Sequence, residues 1–389
     1  MVSEKTSLAD LAKVFLRLGT LAFGGPAAHI AMMEEEVVRR RRWLTREAFL
    51  DYLGAANLIP GPNSTELAIH IGYDRGGWPG LVVAGLSFIV PAMIIVMAIA
   101  WGYTRHGALP KVAGVLYGMT PVVIAIVTQA LWNLGRSALK TRGLLALAIV
   151  AVVASAAGAN ELLLLAGAAV VCVGVRVVSD SRGRAAKVAT VAGACAVTGS
   201  AALSAATVSA AAVAGSPVSF STLFFTFAKI GSILFGSGYV LLAFLRANFV
   251  EHLGWLTERQ LLDAVAVGQI TPGPVFTTAT FIGYVLGGPV AAAVATAGIF
   301  SPAFVFVAVS GPLVPRLRRS PVAAAAFDGV NVASLALMAV VTWQLGRVAL
   351  RDPLTVAIAI VSLIGLVSHR LNSVWLIAAG GLLGWIAAR

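Results

Sequence analysis

Apolar residues fill this chain in long, nearly unbroken runs, and the charged residues fall between them. Thirteen apolar segments can be read. The first six lie at about 11–33, 48–72, 78–101, 112–134, 143–158 and 161–178. The last six lie at about 219–245, 260–286, 289–311, 322–345, 354–368 and 371–388. Between the two sets, 188–214 is rich in Ala, Val, Gly, Ser and Thr, and no charge occurs from Val188 to Ala228. Several segments approach the ~20 residues a helix needs to cross a bilayer, while 143–158 and 354–368 are short. The pattern predicts an all-α polytopic membrane protein.

The pattern also repeats. At an offset of 212, Phe15, Gly19, Phe23, Gly24, Trp43, Leu44, Thr45 and Asp51 fall on Phe227, Gly231, Phe235, Gly236, Trp255, Leu256, Thr257 and Asp263. Pro60-Gly61-Pro62 falls on Pro272-Gly273-Pro274. At 211, Pro91 falls on Pro302, Gly118 on Gly329 and Leu134-Gly135-Arg136 on Leu345-Gly346-Arg347. The expected organisation is an N-terminal repeat over 11–180, a linker helix over 188–214 and a C-terminal repeat over 219–388. Six segments plus a crossing linker is an odd number, so the two six-segment halves are expected to be inverted. If the Pro-Gly-Pro segments re-enter instead of crossing, the same count makes the halves parallel. Basic loops support inversion at Arg136, Lys140, Arg142, Arg182 and Arg184 against Arg316, Arg318, Arg319 and Arg370, whereas Arg39 to Arg42 fall on the wrong face of that count.

Composition sharpens the class. The chain is 59% hydrophobic and 11% charged, with mean hydropathy +0.92, where a soluble domain carries about 25% charged residues. The net charge of +12 sits in short loops between apolar spans, a pattern suited to anionic lipid and not to nucleic acid. Cys172 and Cys195 both lie in apolar stretches and read as packing residues, with no disulfide framework, metal site or cofactor implied. Glu4, Asp10, Arg17 and Pro26 argue against a cleaved signal peptide.

The candidate chemistry lies at the helix breaks. Two prolines around a glycine interrupt a helix, and the freed backbone survives in a membrane only against protein or a cavity. New helices then start at Asn63-Ser64-Thr65 and near Thr277-Thr278, and helix N-termini suit anions. The candidate substrate-binding set is Gly24, Gly25, Pro26, Pro60, Gly61, Pro62, Asn63, Ser64 and Thr65, with Gly236, Pro272, Gly273, Pro274 and Thr277. Arg17 and Lys229 add a matched cation one turn before the glycines, and Asn57 and Gln269 are matched amides that either cap backbone or contact substrate. His29, Glu66 and His70 occur in the first half only and are proton-coupling candidates. Asp51 and Asp263, near Trp43 and Trp255, read as interfacial anchors or caps.

Phe23-Gly24-Gly25-Pro26-Ala27-Ala28-His29-Ile30, Arg42-Trp43-Leu44, Pro60-Gly61-Pro62 and Gly72-Tyr73 together resemble the chromate ion transporter family, in its long-chain, two-repeat form. The resemblance implies proton-coupled efflux of the chromate dianion across the bacterial inner membrane, with chromate resistance as the outcome and sulfate as a related oxyanion. The second half carries Gly236-Ser237-Gly238 in place of Gly-Gly-Pro and Leu241 in place of a histidine, which implies unequal halves. An inside-negative potential favours anion export by ~2.3 kcal/mol per charge per 100 mV, and a dianion gains twice that. No G-x-x-x-x-G-K-[ST] loop points to ATP, and no H-E-x-x-H or G-x-S-x-G points to an intramembrane enzyme. The expected partners are the oxyanion, protons and the lipid bilayer. An anion channel is the alternative within transport, and a homodimer is left open.

Overall fold

The structure, a computed structural model, describes residues 6–23, 25–57, 59–106, 110–181, 218–234, 240–310, 320–368, 371 and 373–387. The expected linker helix at 188–214, and the candidates Gly24 and Gly236, lie outside the described residues. All regular elements among the described residues are helical.

The first half begins with α1 (Leu8–Leu21) and α2 (Gly25–Glu34), the latter running on as a π-helical turn, Glu35–Arg40. It continues through α3 (Arg46–Ala56), α4 (Asn63–His106), α5 (Pro110–Ala138), α6 (Arg142–Ala156) and α7 (Glu161–Ser181). The second half repeats the order with α8 (Phe220–Ile233), α9 (Leu241–Leu245, then a π-helical turn Arg246–His252) and α10 (Glu258–Ile270). A 3-10 turn, Val275–Thr277, leads into α11 (Thr278–Ser310), followed by α12 (Pro321–Ala349), α13 (Pro353–Ser368) and α14 (Ser373–Ala387). Equivalent helices start with equivalent caps. The Thr45 hydroxyl accepts from Ala48 N–H, and the Thr257 hydroxyl accepts from Gln260 N–H in a full capping box.

The apolar pattern counts 11–33 and 48–72 as single spans, but the structure folds each back on itself. Thr6, before α1, donates its N–H to Arg75 O (3.2 Å), and the Arg75 side chain bonds to Thr6 Oγ1 (3.0 Å) and Trp43 O (3.2 Å). The start of α1, the approach to α3 and the end of the first arm of α4 therefore share one face. Tyr52 of α3 stacks on His70 of α4 and donates to Asp74 (2.7 Å), so the arms either side of Pro-Gly-Pro run antiparallel. Each half thus opens with two re-entrant hairpins. In the first half the tips lie between the end of α1 and the start of α2, and at Pro60–Pro62. An arm of 14 residues reaches ~21 Å, short of the ~30 Å hydrocarbon core. An apolar run has the same composition whether it crosses or returns, which is why length alone misjudges these segments.

After the second hairpin the chain reverses sharply inside α4 at Gly77 (φ 62°) and inside α11 at Gly287 and Gly288 (φ 74° at the latter). Gly72 then lies against the backbone of Gly80, and Gly283 against that of Ala291. The arms that follow cross the molecule antiparallel to one another. Leu81 and Gly85, near the Gly77 end, pack with Ala303, Phe304 and Val307, far from Gly288. At the other end, Tyr103 donates to Asp263 of α10 (3.0 Å) and packs on Phe281 (5.1 Å between rings). The halves are inverted repeats, as the expected fold class has them; the Pro-Gly-Pro segments do re-enter, but 11–33 re-enters as well, so two crossings are lost per half and the halves do not become parallel.

Re-entry also removes the conflict at Arg39 to Arg42. With 11–33 folded back, these residues share a face with Arg46, Arg75, Lys140 and Arg142, and the facing ends of α11 and α12 flank Arg316, Arg318 and Arg319 in the chain.

Beyond the hairpins the halves interleave. Helix α5 packs on α13 and α14, and its equivalent α12 packs on α6 and α7. Both contacts use small residues that let backbones approach. Gly114 and Gly118 meet Gly384 and Gly380, and Gly329 meets Ala168. Each half therefore holds the other's last helices, so neither half is a separate body that could rock as a unit.

Candidate functional site

The two Pro-Gly-Pro tips meet reciprocally. Gly61 N–H donates to Leu234 O at the end of α8 (2.8 Å), and Gly273 N–H donates to Ala22 O at the end of α1 (3.0 Å). The last carbonyls of a helix have no partner within it. Each broken helix thus lends its unpaired carbonyl to the tip from the opposite half. Both joints need glycine, at φ +137° for Gly61 and +83° for Gly273. A Cβ at Gly61 would strike the Glu66 carboxylate, and one at Gly273 would lie 2.6 Å from the Ala92 methyl.

Beside this joint lies a cavity of about 470 Å3. The first half contributes Pro26, Asn57, Pro62, Asn63 and Ser64. The second contributes Val240, Pro274, Val275 and Phe276. The remaining wall comes from the ends of α5 and α12 on the arginine-rich face: Leu134, Ser137, Ala138 and Lys140, then Asp328, Asn331, Ser334 and Leu335. Lys140 is exposed, so the cavity opens on that face.

The two breaks offer unlike surfaces. In the first half, Thr65 and Glu66 N–H return to Pro62 O, and helix geometry leaves the Asn63 and Ser64 N–H groups at the free end. Asn63 Nδ2 donates to Asn57 Oδ1 (2.7 Å), which sets both amides at the cavity edge. In the second half, Thr277 and Thr278 hydroxyls donate to Pro274 O and Val275 O (2.8 Å each), and the face presented is Pro274, Val275 and Phe276. Ser334 is buried and its Oγ has no partner, so the α12 wall adds an open hydroxyl.

Three ionisable groups are buried behind the first tip. Glu66 is fully buried, with neither carboxylate oxygen bonded. His70, one turn on, has an unbonded Nε2. His29 lies 3.3 Å from Ser64 Oγ through Nδ1 and 3.0 Å from Ala22 O through Nε2, with its ring edge-on to Phe88. Because Ala22 O also accepts Gly273 N–H, His29 connects the polar helix start of one half to the tip of the other.

Of the residues singled out from the sequence, Pro26, Asn57, Pro62, Asn63, Ser64 and Pro274 line the cavity. Gly61 and Gly273 form the joint, with Gly25, Pro60 and Pro272 beside them. Thr65 is buried with its hydroxyl unbonded, Thr277 is self-bonded, and Gln269 is buried between α5 and α9, away from the cavity. Arg17 and Lys229 do not line it. Both are exposed on the outer sides of α1 and α8, and Lys229 reaches Asn248 Oδ1 (3.4 Å). A long cationic side chain one turn from a helix end reaches outward as readily as inward. Asp263 is no surface anchor, being buried on Tyr103. Lys140, Asp328, Asn331 and Ser334 escape a reading centred on the breaks. For the last three the signal is the polar stripe Asp328, Asn331, Ser334 at a spacing of three in the otherwise apolar stretch from Val322 to Val341.

The profile of the family described as "Chromate transporter" matches residues 9–175 and 221–385, one copy on each half. The chain belongs to the chromate transporter family. Among its relatives, the chromate transport protein of Cupriavidus metallidurans is 32% identical over 98% of this chain and 93% of its own length. That of Pseudomonas aeruginosa is 33% identical over 99% and 94%, and the probable chromate transport protein of Synechococcus elongatus 33% identical over 92% and 89%. No solved structure matches the chain. For a chromate transporter family member, the cavity between the two breaks is the natural place to seek the substrate.

Proposed function

We propose that this protein carries chromate out of the bacterial cytoplasm across the inner membrane, as a secondary transporter driven by the membrane potential and the proton gradient. The observation that carries the reading is one cavity lined by both Pro-Gly-Pro breaks. A tetrahedral dianion in it meets the Lys140 ammonium, the helix start at Asn63 and Ser64, the amides of Asn57 and Asn331, and the Ser334 hydroxyl, which together must outweigh repulsion from the Asp328 carboxyl on the same wall. Charge-assisted bonds of this kind are the strong ones. Short loops rich in Lys and Arg face the cytoplasm, so the arginine-rich face is assigned inward and the cavity opens to the cytoplasm. Glu66 is proposed as the proton carrier, because a fully buried, unbonded carboxylate in a membrane protein is a functional group before it is a structural one. His29 and His70 flank its path.

The test is flux of radiolabelled chromate in proteoliposomes of purified protein, with pH gradient and potential imposed separately and sulfate as competitor. Uphill chromate movement under either force is expected. Ion currents far above carrier rates, or no chromate movement under either force, would overturn the reading.

A further inference from the structure

Inverted halves preserve some contacts by exchanging the partners. Glu34 pairs with Arg46 (3.7 Å), and the equivalent Arg246 pairs with Glu258 (2.6 Å), with the charges reversed. Both copies of that contact are made. A second exchanged contact is made in one copy only. Tyr117 of α5 donates its hydroxyl to Asp352 (2.5 Å), the residue that caps α13 by accepting from Leu354 and Thr355 N–H (3.0 Å each). The equivalents of Tyr117 and Asp352 are Asp328 of α12 and Thr141, the cap of α6. One carboxylate and one hydroxyl recur with their places swapped. Yet Asp328 makes no hydrogen bond or ion pair to a described residue, and the Thr141 hydroxyl accepts only Leu144 N–H among the described residues (3.2 Å).

The unmade copy stands at the open mouth, where Asp328 and Lys140 line the cavity. The made copy stands at the opposite face, where the inverted counterpart of that mouth would open. The Asp352 carboxyl is held below the ordinary carboxylate range, first by the Tyr117 hydroxyl, so the tie is charge-assisted. We propose that Tyr117 with Asp352, and Asp328 with Thr141, are the two gates of one transport pathway, the first closed and the second open in this conformation, and that each transport cycle exchanges them. This rests on the reading of the cavity as the substrate pocket. Tyr117 and Asp352 belong to the packed pair α5 and α13, and Asp328 and Thr141 to the packed pair α12 and α6, so exchanging the gates requires α5 to shift against the start of α13 and α12 against the start of α6.

The experiment uses the full chain with Cys172 and Cys195 replaced by Ala, in oriented membrane vesicles. Ser137→Cys reports the open mouth and Thr120→Cys, the equivalent of Asn331, the sealed side. A membrane-impermeant maleimide is expected to label Ser137→Cys from the cytoplasmic side and to leave Thr120→Cys unlabelled from the other. Adding Tyr117→Phe is expected to shift the labelling ratio about tenfold toward Thr120→Cys, the scale on which losing one bond to a charged group moves a two-state equilibrium. In a second arm, Thr141→Cys with Asp328→Cys is treated with a short bis-methanethiosulfonate. Cross-linking that protects Ser137→Cys and is reversed by reductant is expected. The proposal falls if Thr120→Cys labelling ignores Tyr117→Phe, or if the pair never cross-links while Ser137→Cys labels normally and so shows a folded protein. Neither arm contains chromate. A gate that behaves as described in a protein that moves no chromate would sink the substrate reading and leave the gate standing.

Discussion

The two hairpin tips are built on one backbone plan and filled with different chemistry. Both are Pro-Gly-Pro, both carry glycine at positive φ, and both donate to the last carbonyl of the opposite half's first helix. Around the first tip lie Asn57, Asn63, Ser64, His29, Glu66 and His70, while around the second the equivalent surface is apolar or ties its hydroxyls back to its own carbonyls. The difference separates two demands. The backbone joint is made twice, once by each tip on the opposite half, and glycine is required in each. Both tips line the same cavity, and the first supplies its polar edge while the second supplies an apolar wall.

The largest expected effect tests the joint. Gly273→Ala should destabilise by about 3–5 kcal/mol, combining backbone strain with a methyl forced against Ala92, whose backbone cannot yield. Gly61→Ala should cost less, about 1–3 kcal/mol, because the atom it strikes ends the flexible Glu66 side chain. Thermal unfolding of the purified proteins measures both, and equal losses would erase this distinction between the tips. Next in size, Glu66→Gln should abolish the response of chromate flux to an imposed pH gradient while the protein still folds. Thr278→Val, at the equivalent position, should cost about 1 kcal/mol of stability for its lost bond and leave that response intact. A pH response surviving in Glu66→Gln would move proton coupling elsewhere.

A smaller effect is expected at the mouth. Lys140→Gln should raise the KM for chromate about tenfold through loss of one charge-assisted contact, and Arg351→Gln, its counterpart on the sealed face, should change it less than about twofold. Initial-rate measurements over a chromate series decide this, and matching effects would mean the cavity wall is not where the asymmetry lies. Smallest of all, the double exchange Glu34→Arg with Arg46→Glu copies the second half's polarity into the first. It should alter stability by no more than about 0.5 kcal/mol, as expected of an exposed pair.

Much of this was legible without coordinates, in specific places. The equivalence of Thr45 with Thr257, and of Pro60-Gly61-Pro62 with Pro272-Gly273-Pro274, follows from spacing, and the caps and breaks form where those residues stand. Re-entry was not legible from the apolar runs, although the misplaced Arg39 to Arg42 were its trace. The matched cations Arg17 and Lys229 drew attention because they repeat, yet repetition preserves an outward-facing residue as faithfully as a binding one. Lys140 and the Asp328, Asn331, Ser334 stripe line one cavity from elements almost 200 residues apart in sequence, and no local pattern pairs them.

The sequence by itself determined that the chain lives in a bilayer, that it is two copies of one helical unit, and where each copy must break, because those properties depend on local composition and on residues that cannot continue a helix. Only the tertiary structure decided that the first segments turn back, that the copies run in opposite directions and hold each other's last helices, and that Tyr117 bonds to Asp352 while the equivalent Asp328 and Thr141 do not bond each other. Those are questions of which distant backbone groups and side chains finally meet, and in a chain so uniformly apolar hydrophobicity is nearly the same for every arrangement. Close packing of glycines and the demand that each buried amide and carbonyl find a partner make the choice.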